Sequence, residues 1–236
     1  KYNTTLDKKY IKGMNDAELR SWCIDIGQSS YRGQQLFEWM YRYGILSFEK
    51  MSNVNKSFQE YLKKNCIIKT LNIEKLSKSK IDNSTKFLFS TLDAQVIETV
   101  SMIDGNRHTV CISSQAGCAL DCDFCETGKI GLKRNLSIGE IVDQLIFVRS
   151  YEKDKPITNV VFMGMGEPFH NYKNVIGAAD IFHSPRGFNL GVARITISTV
   201  GILPKIQQFI TEKQKYKLAI SLNASNDITR EKIMPI

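Results

Sequence analysis

The sequence predicts an α/β fold in which a small helical N-terminal domain and a β-hairpin precede a sheet of parallel strands. Apolar residues recur at helical spacing in the first third of the chain and at the two-residue spacing of strands from Lys86 to Met102. Strand-like and helix-like segments then alternate, which is typical of parallel strands joined by crossover helices. This last part is either an open doubly wound sheet or part of a (βα) barrel. The expected domain ranges are 1–80, 81–110 and 111–236.

The composition is that of a folded, soluble protein. Hydrophobic residues make up 42% of the 236 residues and charged residues 24%, so a core can form and disorder is not expected. No apolar run approaches the ~20 residues of a membrane span, and the first residues do not resemble a signal peptide. Six cysteines, three of them clustered, suit a metal site in a reducing compartment better than a disulfide framework. We expect a cytoplasmic monomer without membrane contacts.

The positive charge is concentrated in the N-terminal third. Residues 1–80 hold 15 Lys and Arg against 8 Asp and Glu, whereas residues 81–236 hold 17 against 16. A basic domain next to a nearly neutral one suits contact with the phosphate backbone of RNA, although a solvated lysine-rich face explains the charge equally well. Four residues of this domain alternate aromatic and basic character: Tyr31, Arg32, Trp39 and Arg42. Such side chains can stack on RNA bases, but core packing is the simpler interpretation for the aromatic ones.

Three helical patterns build the predicted N-terminal domain. Asn15 or Asp16 can cap the first, which stops at Gly27, and the others cover residues 34–43 and 55–64. The hairpin follows, with strands over residues 87–89 and 96–100, a turn at residues 104–106 and a returning strand over residues 109–112.

The parallel part begins with a helix that starts at Ser137, with Glu140 as its capping-box partner. Further strands are predicted over 157–163, 194–199 and 216–222, with helices over 174–182 and 202–210. Ligands of such folds bind at the carboxyl ends of the strands. We therefore expect the functional residues of this part to lie where each strand ends.

Three cysteines within eight residues are the strongest chemical signal. Cys118, Cys122 and Cys125 follow a C-x3-C-x2-C spacing after the strand at residues 109–112. Three thiolates on one loop can hold an iron–sulfur cubane and leave one iron free for an outside ligand. They can also belong to a structural zinc site completed by Cys111 or His108, or be ordinary buried thiols. Residues 126–236 contain no cysteine, so a second C-x2-C arm for zinc is missing downstream.

A glycine-rich stretch follows the next predicted strand. Gly164-Met165-Gly166-Glu167-Pro168 is a weak dinucleotide signal because it lacks a helix-opening third glycine. Its glycines let the backbone approach a ligand closely, and Glu167 offers a carboxylate to a cationic group.

These motifs together resemble a known family. The cysteine spacing is similar to that of the radical SAM enzymes, and the stretch from Cys111 to Cys122, followed by Gly164 to Pro168, resembles the dual-specificity rRNA and tRNA adenine-C2 methyltransferases. The resemblance implies a partial radical SAM (βα) barrel, a [4Fe–4S] cluster on Cys118, Cys122 and Cys125, and S-adenosyl-L-methionine as the second cofactor. It assigns six positions to S-adenosyl-L-methionine: Gly166, Glu167, Ser198, Ser221, Leu222 and Asn223.

The resemblance also implies a mechanism and partners. In that family one S-adenosyl-L-methionine methylates a cysteine near the C-terminus, a second is cleaved to a radical, and the activated methyl group adds to the adenine. The resemblance makes Glu98 the proton acceptor and Cys111 the cysteine that resolves the adduct and forms a disulfide with the methyl-carrying one. The expected partners are rRNA and tRNA substrates and an electron-donating reductant.

Some features depart from the family pattern. No methyl-carrying cysteine follows Cys125, so we expect a C-terminally incomplete barrel that is itself inactive in methylation. Glu126 stands where the family usually has a small or neutral residue, and its carboxylate could lower the cluster potential. Two alternatives stay open: the sister branch that methylates C8 of adenosine, and a non-catalytic, zinc-stabilised RNA-binding fragment. Gly117 to Leu120 and Pro168 favour the C2 branch on resemblance.

Overall fold

The computed structural model describes residues 8–236, so the first seven residues of the predicted 1–80 domain lie outside it. The helices are α1 Asp16–Asp25, α2 Tyr31–Phe37, α3 Lys56–Asn65, α4 Glu126–Ile130, α5 Ile138–Tyr151, α6 Tyr172–His183, α7 Leu203–Thr211 and α8 Asp227–Ile233. The strands are β1 Lys9–Tyr10, β2 Cys66–Ile67, β3 Leu71–Lys78, β4 Ser84–Thr91, β5 Val96–Asp104, β6 Arg107–Cys111, β7 Gln115–Ala116, β8 Arg134–Asn135, β9 Asn159–Phe162, β10 Ile195–Thr199 and β11 Lys217–Ile220.

The N-terminal domain is helical, as predicted. The Asn15 side chain accepts a hydrogen bond from the backbone N–H of Glu18, whose carboxylate accepts one from the Asn15 N–H, so α1 begins with a complete capping box. The second predicted helix is α2 continued by a π-helical turn over Glu38–Arg42. Cys23 and Cys66 are buried free thiols, as expected.

A seven-stranded sheet forms the centre of the molecule, in the order β11-β10-β9-β6-β5-β4-β3. Strands β6, β9, β10 and β11 are parallel neighbours, and β3 to β6 run antiparallel to one another. Each parallel strand is added on the same side of the previous one, as in a (βα) barrel, whereas a doubly wound sheet reverses direction. The fold is therefore a partial (βα) barrel.

The two faces of this sheet differ in burial. Val110, Val160 and Ile197 are fully buried on the face covered by the helices. On that face α5 and α6 contribute aromatic contacts, with ring centroids 5.4 Å apart for Phe89–Phe147 and 6.2 Å for Phe162–Phe182. The opposite face is half-buried and corresponds to the inside of the partial barrel; we call it the concave face.

The structure differs from the expected arrangement in the hairpin region. Strand β3 lies within the range predicted to be helical, and the predicted linker at residues 81–110 is part of the main sheet. Strand β3 is an edge strand that is mostly exposed and carries a register shift between Ile73 and Lys75. Because β3 is exposed along most of its length, its sequence does not alternate regularly between apolar and polar residues, and no pattern predicts a strand there. Only its backbone pairing with β4 identifies it as a strand. The division into domains stays a prediction.

Candidate functional site

A cavity of about 290 Å³ opens at the carboxyl ends of the parallel strands. It is bounded by the cysteine loop on one side and by the segments that follow β9, β10 and β11 on the other. Its lining residues are Cys118, Leu120, Cys122, Phe124, Cys125, Thr127, Phe162, Met163, Gly164, Gly166, Glu167, Pro168, Ser198, Val200, Ser221, Asn223 and Met234. The structure thus brings together residues from five separate stretches of the sequence, the last of them represented by Met234.

The cysteine loop turns tightly between β7 and α4. The backbone N–H of Cys125 donates to the carbonyl of Cys122 at 2.9 Å, and the N–H of Leu120 donates to the Cys118 sulfur at 3.4 Å. Gly117 precedes the loop at φ +77°, where it packs against the Gly131 carbonyl without room for a Cβ. These contacts place all three thiols on the cavity wall.

The electrostatics of the three thiols fit a cationic group that binds thiolates. Burial raises the pKa of Cys118 and of Cys122 above the usual range, and the neighbouring thiols raise both pKa values further. Thiolates repel one another at close range, so a bound cation is needed to compensate their charge when several of them face one cavity. An iron–sulfur cluster with three cysteine ligands satisfies this requirement, since thiolates are its usual ligands.

The predicted zinc alternative lacks its fourth ligand in this arrangement. His108 lies on β6, where its Nδ1 is 3.0 Å from the Lys155 carbonyl oxygen and its Nε2 is 2.8 Å from Ser101 Oγ. Cys111 does not line the cavity. Within residues 8–236, no three His, Cys, Asp or Glu side chains converge on a position for a single metal ion.

The segment Gly164 to Pro168 forms the wall opposite the cysteine loop. Gly166 has φ +95°, and a Cβ there would overlap the side chain of Gln115. The Gln115 side chain accepts from the Glu167 N–H at 2.8 Å and donates to Asn135 Oδ1 at 2.7 Å. Both ends of this buried amide are therefore used to hold the glycine-rich segment in place.

Glu167 joins the ends of two strands. Its carboxylate is 3% exposed and accepts from the Phe169 N–H at one oxygen and from the Val200 N–H at the other, both at 2.9 Å. Each carboxylate oxygen has a second lone pair, so the group can still accept a hydrogen bond from a ligand in the cavity. Glu167 therefore also has a structural role, because it connects the segments that follow β9 and β10, and its sequence position did not indicate this role.

The strand ends beyond Glu167 supply polar groups. Ser198 Oγ on β10 and Ser221 Oγ after β11 are 3.3 Å apart. Asn223 has φ +57°, and its amide donates to the Met234 sulfur at 3.7 Å. Leu222 is 64% exposed and does not line the cavity, unlike the other five positions that the family resemblance assigned to S-adenosyl-L-methionine.

Glu98 and Cys111 lie outside the cavity lining but on the concave face beside it. Cys111 pairs with Val100 of β5, so Glu98, two residues earlier, is its diagonal neighbour, about 7–8 Å away by strand geometry. Glu98 forms an ion pair with Lys86 of β4 at 2.9 Å. Burial raises the pKa of Cys111, which therefore carries a protonated thiol at neutral pH. These two residues are brought together, and their catalytic roles stay predictions.

Several site residues were missed by the sequence reasoning. Met163, Val200 and Met234 line the cavity, and Gln115 and Lys86 contact predicted site residues. Gln115 could have been suspected, because a polar residue beside the predicted cysteine loop needs partners if it is buried. Nothing in the local sequence around Met234 indicated that it lines the cavity, because tertiary packing decides where the end of α8 lies.

No helix in residues 8–236 is both long and apolar enough to cross a membrane.

Comparisons with known proteins identify the class of protein to which the chain belongs. A model of the radical SAM superfamily matches residues 112–236, and a model of the ribosomal RNA large subunit methyltransferase N-terminal domain matches residues 10–68. A solved radical SAM methyltransferase from Sphaerobacter thermophilus superimposes with a TM-score of 0.91 at 38% identity, over 96% of this chain and 67% of that one. Fold and site together define a radical SAM protein.

Curated relatives narrow this class. The chain is 42% identical over 230 residues to a probable dual-specificity RNA methyltransferase RlmN of Aquifex aeolicus, and 40% identical over 231 residues to the RlmN of Geotalea uraniireducens. These alignments cover 97% and 98% of this chain. The chain belongs to the RlmN family of the radical SAM superfamily. It spans 66% of the length of each of these two relatives.

Proposed function

We propose that the protein carrying this chain is a radical SAM methyltransferase that methylates C2 of adenosine in rRNA and tRNA. The observation that carries the proposal is the single cavity that collects Cys118, Cys122 and Cys125 together with the ends of β9, β10 and β11. Family membership supports the RNA substrate, because the named relatives are dual-specificity RNA methyltransferases.

The residues divide into two binding sets. Cys118, Cys122 and Cys125 would hold a [4Fe–4S] cluster, and the opposite wall would hold S-adenosyl-L-methionine through Gly166, Glu167, Ser198, Ser221 and Asn223. Bound together, the two cofactors supply a radical able to activate a methyl group for the electrophilic C2 carbon. Glu167 suits the ammonium end of S-adenosyl-L-methionine, because its buried carboxylate retains free lone pairs.

Two residues of the concave face have proposed roles in the chemistry. A carboxylate oxygen of Glu98 accepts a proton, and its ion pair with Lys86 at 2.9 Å holds the side chain beside β4. Cys111 holds its proton until it acts, since burial raises its pKa, and then supplies the thiolate that releases the product. Leu222 does not line the cavity and is left out of the proposed ligand set.

The proposed cellular setting is the cytoplasm, with a monomeric enzyme and an electron-donating reductant. All six cysteines are free thiols, which agrees with a reducing compartment.

The cofactor part is tested by paramagnetic resonance. The chain is reconstituted anaerobically with iron and sulfide, reduced, and measured with and without S-adenosyl-L-methionine. We expect a cubane signal that shifts when S-adenosyl-L-methionine is added and is lost in Cys122→Ala. Cys23→Ala is the matched control, because Cys23 is a buried thiol of the N-terminal domain and should leave the signal unchanged. A protein that takes up only zinc would contradict the proposal.

The product is tested on the enzyme at its natural length. RNA is digested to nucleosides after reaction and analysed by mass spectrometry with 2-methyladenosine and 8-methyladenosine standards. We expect 2-methyladenosine from both rRNA and tRNA, and loss of turnover in Glu98→Gln. The appearance of 8-methyladenosine instead would assign the chain to the sister chemistry.

A further inference from the structure

A second concave region lies between the N-terminal domain and the C-terminal half of α5. It has a volume of about 800 Å³ and is lined by Arg42, Tyr43, Gly44, Ile45, Leu46, Ser47, Lys50, Lys69, Ile146, Phe147, Arg149, Ser150 and Lys153. We call this region the basic groove. It shares no lining residue with the cavity at the cysteine loop.

The charge of the basic groove is uncompensated. Five of its lining residues are cationic and none is Asp or Glu: Arg42, Lys50, Lys69, Arg149 and Lys153. None of the five takes part in an ion pair in the described part of the chain, whereas Lys12, Lys63 and Lys86 each pair with a carboxylate. A concave wall of cations with low-dielectric surroundings attracts a polyanion.

Arg149 gives the groove a fixed cation. Its guanidinium donates to the Tyr41 carbonyl at 3.0 Å and lies 4.4 Å from the centre of the Phe188 ring. Burial lowers the pKa of Arg149 to about 10, so the side chain stays charged at neutral pH. A charge held in a partly buried position without a carboxylate partner gains most from an anion supplied from outside.

Aromatic side chains beside the cations favour a nucleic acid over a simple anion. Tyr43 is 55% exposed, and its ring lies 5.0 Å from Trp39 and 6.0 Å from the Arg42 guanidinium. An exposed ring next to arginine and lysine can stack on a base while the cations contact phosphates. Free phosphate or a lipid headgroup uses only the cations.

The basic groove and the catalytic cavity share no lining residue, and of the two α5 lines only the groove. The groove residues of α5 run from Ile146 to Ser150, so at 1.5 Å per residue they begin about 12 Å along the helix from its first residue, Ile138. A ligand that occupies both must therefore be an extended chain.

We propose that the basic groove binds the sugar–phosphate backbone of the RNA substrate at a point remote from the reacting adenosine. The inference rests on the proposed function for the identity of the polyanion. The groove adds affinity and leaves the cavity chemistry unchanged, because its residues touch neither the thiols nor the Gly166–Glu167 segment. Affinity should consequently depend on RNA length, since a short oligonucleotide in the cavity cannot reach the groove.

The test compares a groove variant with a control of equal charge. Lys50→Ala/Lys69→Ala removes two exposed cations from the groove, and Lys173→Ala/Lys215→Ala removes two exposed lysines elsewhere. Binding of a fluorescent tRNA and of a trinucleotide is measured by anisotropy between 50 and 200 mM salt. For tRNA we expect the groove variant to bind about tenfold more weakly, with a salt slope lower by roughly 1.5 for two phosphate contacts. The control should match the wild type.

Each outcome decides between defined alternatives. The inference would be overturned if the groove and control variants lost equal affinity for tRNA, or if the groove variant lost as much affinity for the trinucleotide as for tRNA. The proposed function would still stand in either case. Failure of the wild-type protein to bind tRNA or rRNA would instead contradict the proposed function. Groove-dependent binding to phosphatidylserine vesicles without RNA binding would overturn the RNA assignment. The resonance response to S-adenosyl-L-methionine should be identical in both variants, which shows that they fold.

Discussion

Gln115 is the residue whose environment explains most about the site. Its buried side-chain amide reaches the Glu167 N–H with its oxygen and Asn135 with its nitrogen, and it lies against Gly166, which has a positive φ. A side chain larger than hydrogen at position 166 would displace it. The cavity wall opposite the cysteine loop is therefore built from one amide, one glycine and one carboxylate that depend on each other.

We expect Gly166→Ala to weaken S-adenosyl-L-methionine binding by tenfold or more while the cluster still assembles. An alanine at φ +95° is strained by about 1–3 kcal/mol, and its Cβ overlaps Gln115. Titration of the resonance shift with S-adenosyl-L-methionine gives the affinity. Gly191→Ala is the control, because Gly191 has φ −62° and a Cβ there would meet only Arg194 Cγ at 3.8 Å. An unchanged titration for Gly166→Ala would contradict the assignment of this wall.

At the level of elements, two helices of the N-terminal domain pack backbone to backbone. A Cβ on Gly33 of α2 would lie 2.5 Å from the Leu19 carbonyl carbon and from the Arg20 Cα of α1. Van der Waals contact requires more than 3 Å, so only glycine permits this approach.

Gly33→Ala should therefore push α1 and α2 apart and destabilise the protein by about 1–3 kcal/mol, the usual cost of overpacking. Urea unfolding followed by circular dichroism measures the change. The same Gly191→Ala variant should unfold close to the wild-type midpoint. If both substitutions have equal effects, the close approach of the helices is not the cause.

A second element-scale contact fastens the turn between β4 and β5 to the start of α5. Arg134 forms ion pairs with Asp93 at 2.5 Å and with Glu140 in the first turn of α5 at 2.7 Å. The Arg134 guanidinium, through its hydrogen bonds, holds the pKa of the Asp93 carboxyl well below its usual range. Asp93 is half exposed, so solvent screening keeps its contribution to stability small.

The lowered pKa of Asp93 determines how the stability of the protein changes as the pH falls. A carboxyl whose pKa is lower in the folded state stabilises the protein above its unfolded pKa, here 3.8, and loses this contribution as the pH falls towards the folded value. We expect Asp93→Asn to be less stable than wild type at pH 7 and the difference to shrink below pH 3.8. Urea unfolding at pH 7, 5, 4 and 3 measures it. Asp154→Asn, at an exposed position outside any described ion pair, should show no such convergence.

On the scale of the whole molecule, a buried ion pair joins the segment between β1 and α1 to helix α5. Lys12 Nζ lies 3.2 Å from Asp143 Oδ1 of α5, and both side chains are 0% exposed. The other carboxylate oxygen accepts from the Thr70 N–H and hydroxyl, both at 2.7 Å. Burial lowers the pKa of Lys12, and the Asp143 charge opposes that shift. The N-terminal segment and α5 are thus connected by a charge pair that water does not reach.

Asp143→Ala should cost about 3–5 kcal/mol, because it leaves the Lys12 charge buried without a partner. Chemical denaturation measures the loss. The double variant Lys12→Met/Asp143→Leu should recover part of it, since no buried charge remains, although the Thr70 N–H and hydroxyl still lack an acceptor. If the double variant is no more stable than Asp143→Ala, the buried charge is not the source of the loss.

Local patterns predicted most of the elements and the chemistry of the cysteine loop. The capping residues Asn15 and Ser137 begin helices where expected, and the strand segments ending near Cys111, Met163 and Thr199 are strands. These signals succeed because capping, apolar period and cysteine spacing are properties of residues close together in the chain.

By itself, the sequence determined most of the longer helices and strands, the three thiols on one loop and the family resemblance. Only the tertiary structure decided that β3 joins the main sheet and that five cations from distant segments line one groove. It alone also decided that Gln115 supports Glu167 and that Lys86 pairs with Glu98. The physical reason is the range of the interactions. Each of these features depends on backbone pairing, burial or charge between residues far apart in the chain, and no local pattern records which distant segment will supply the partner.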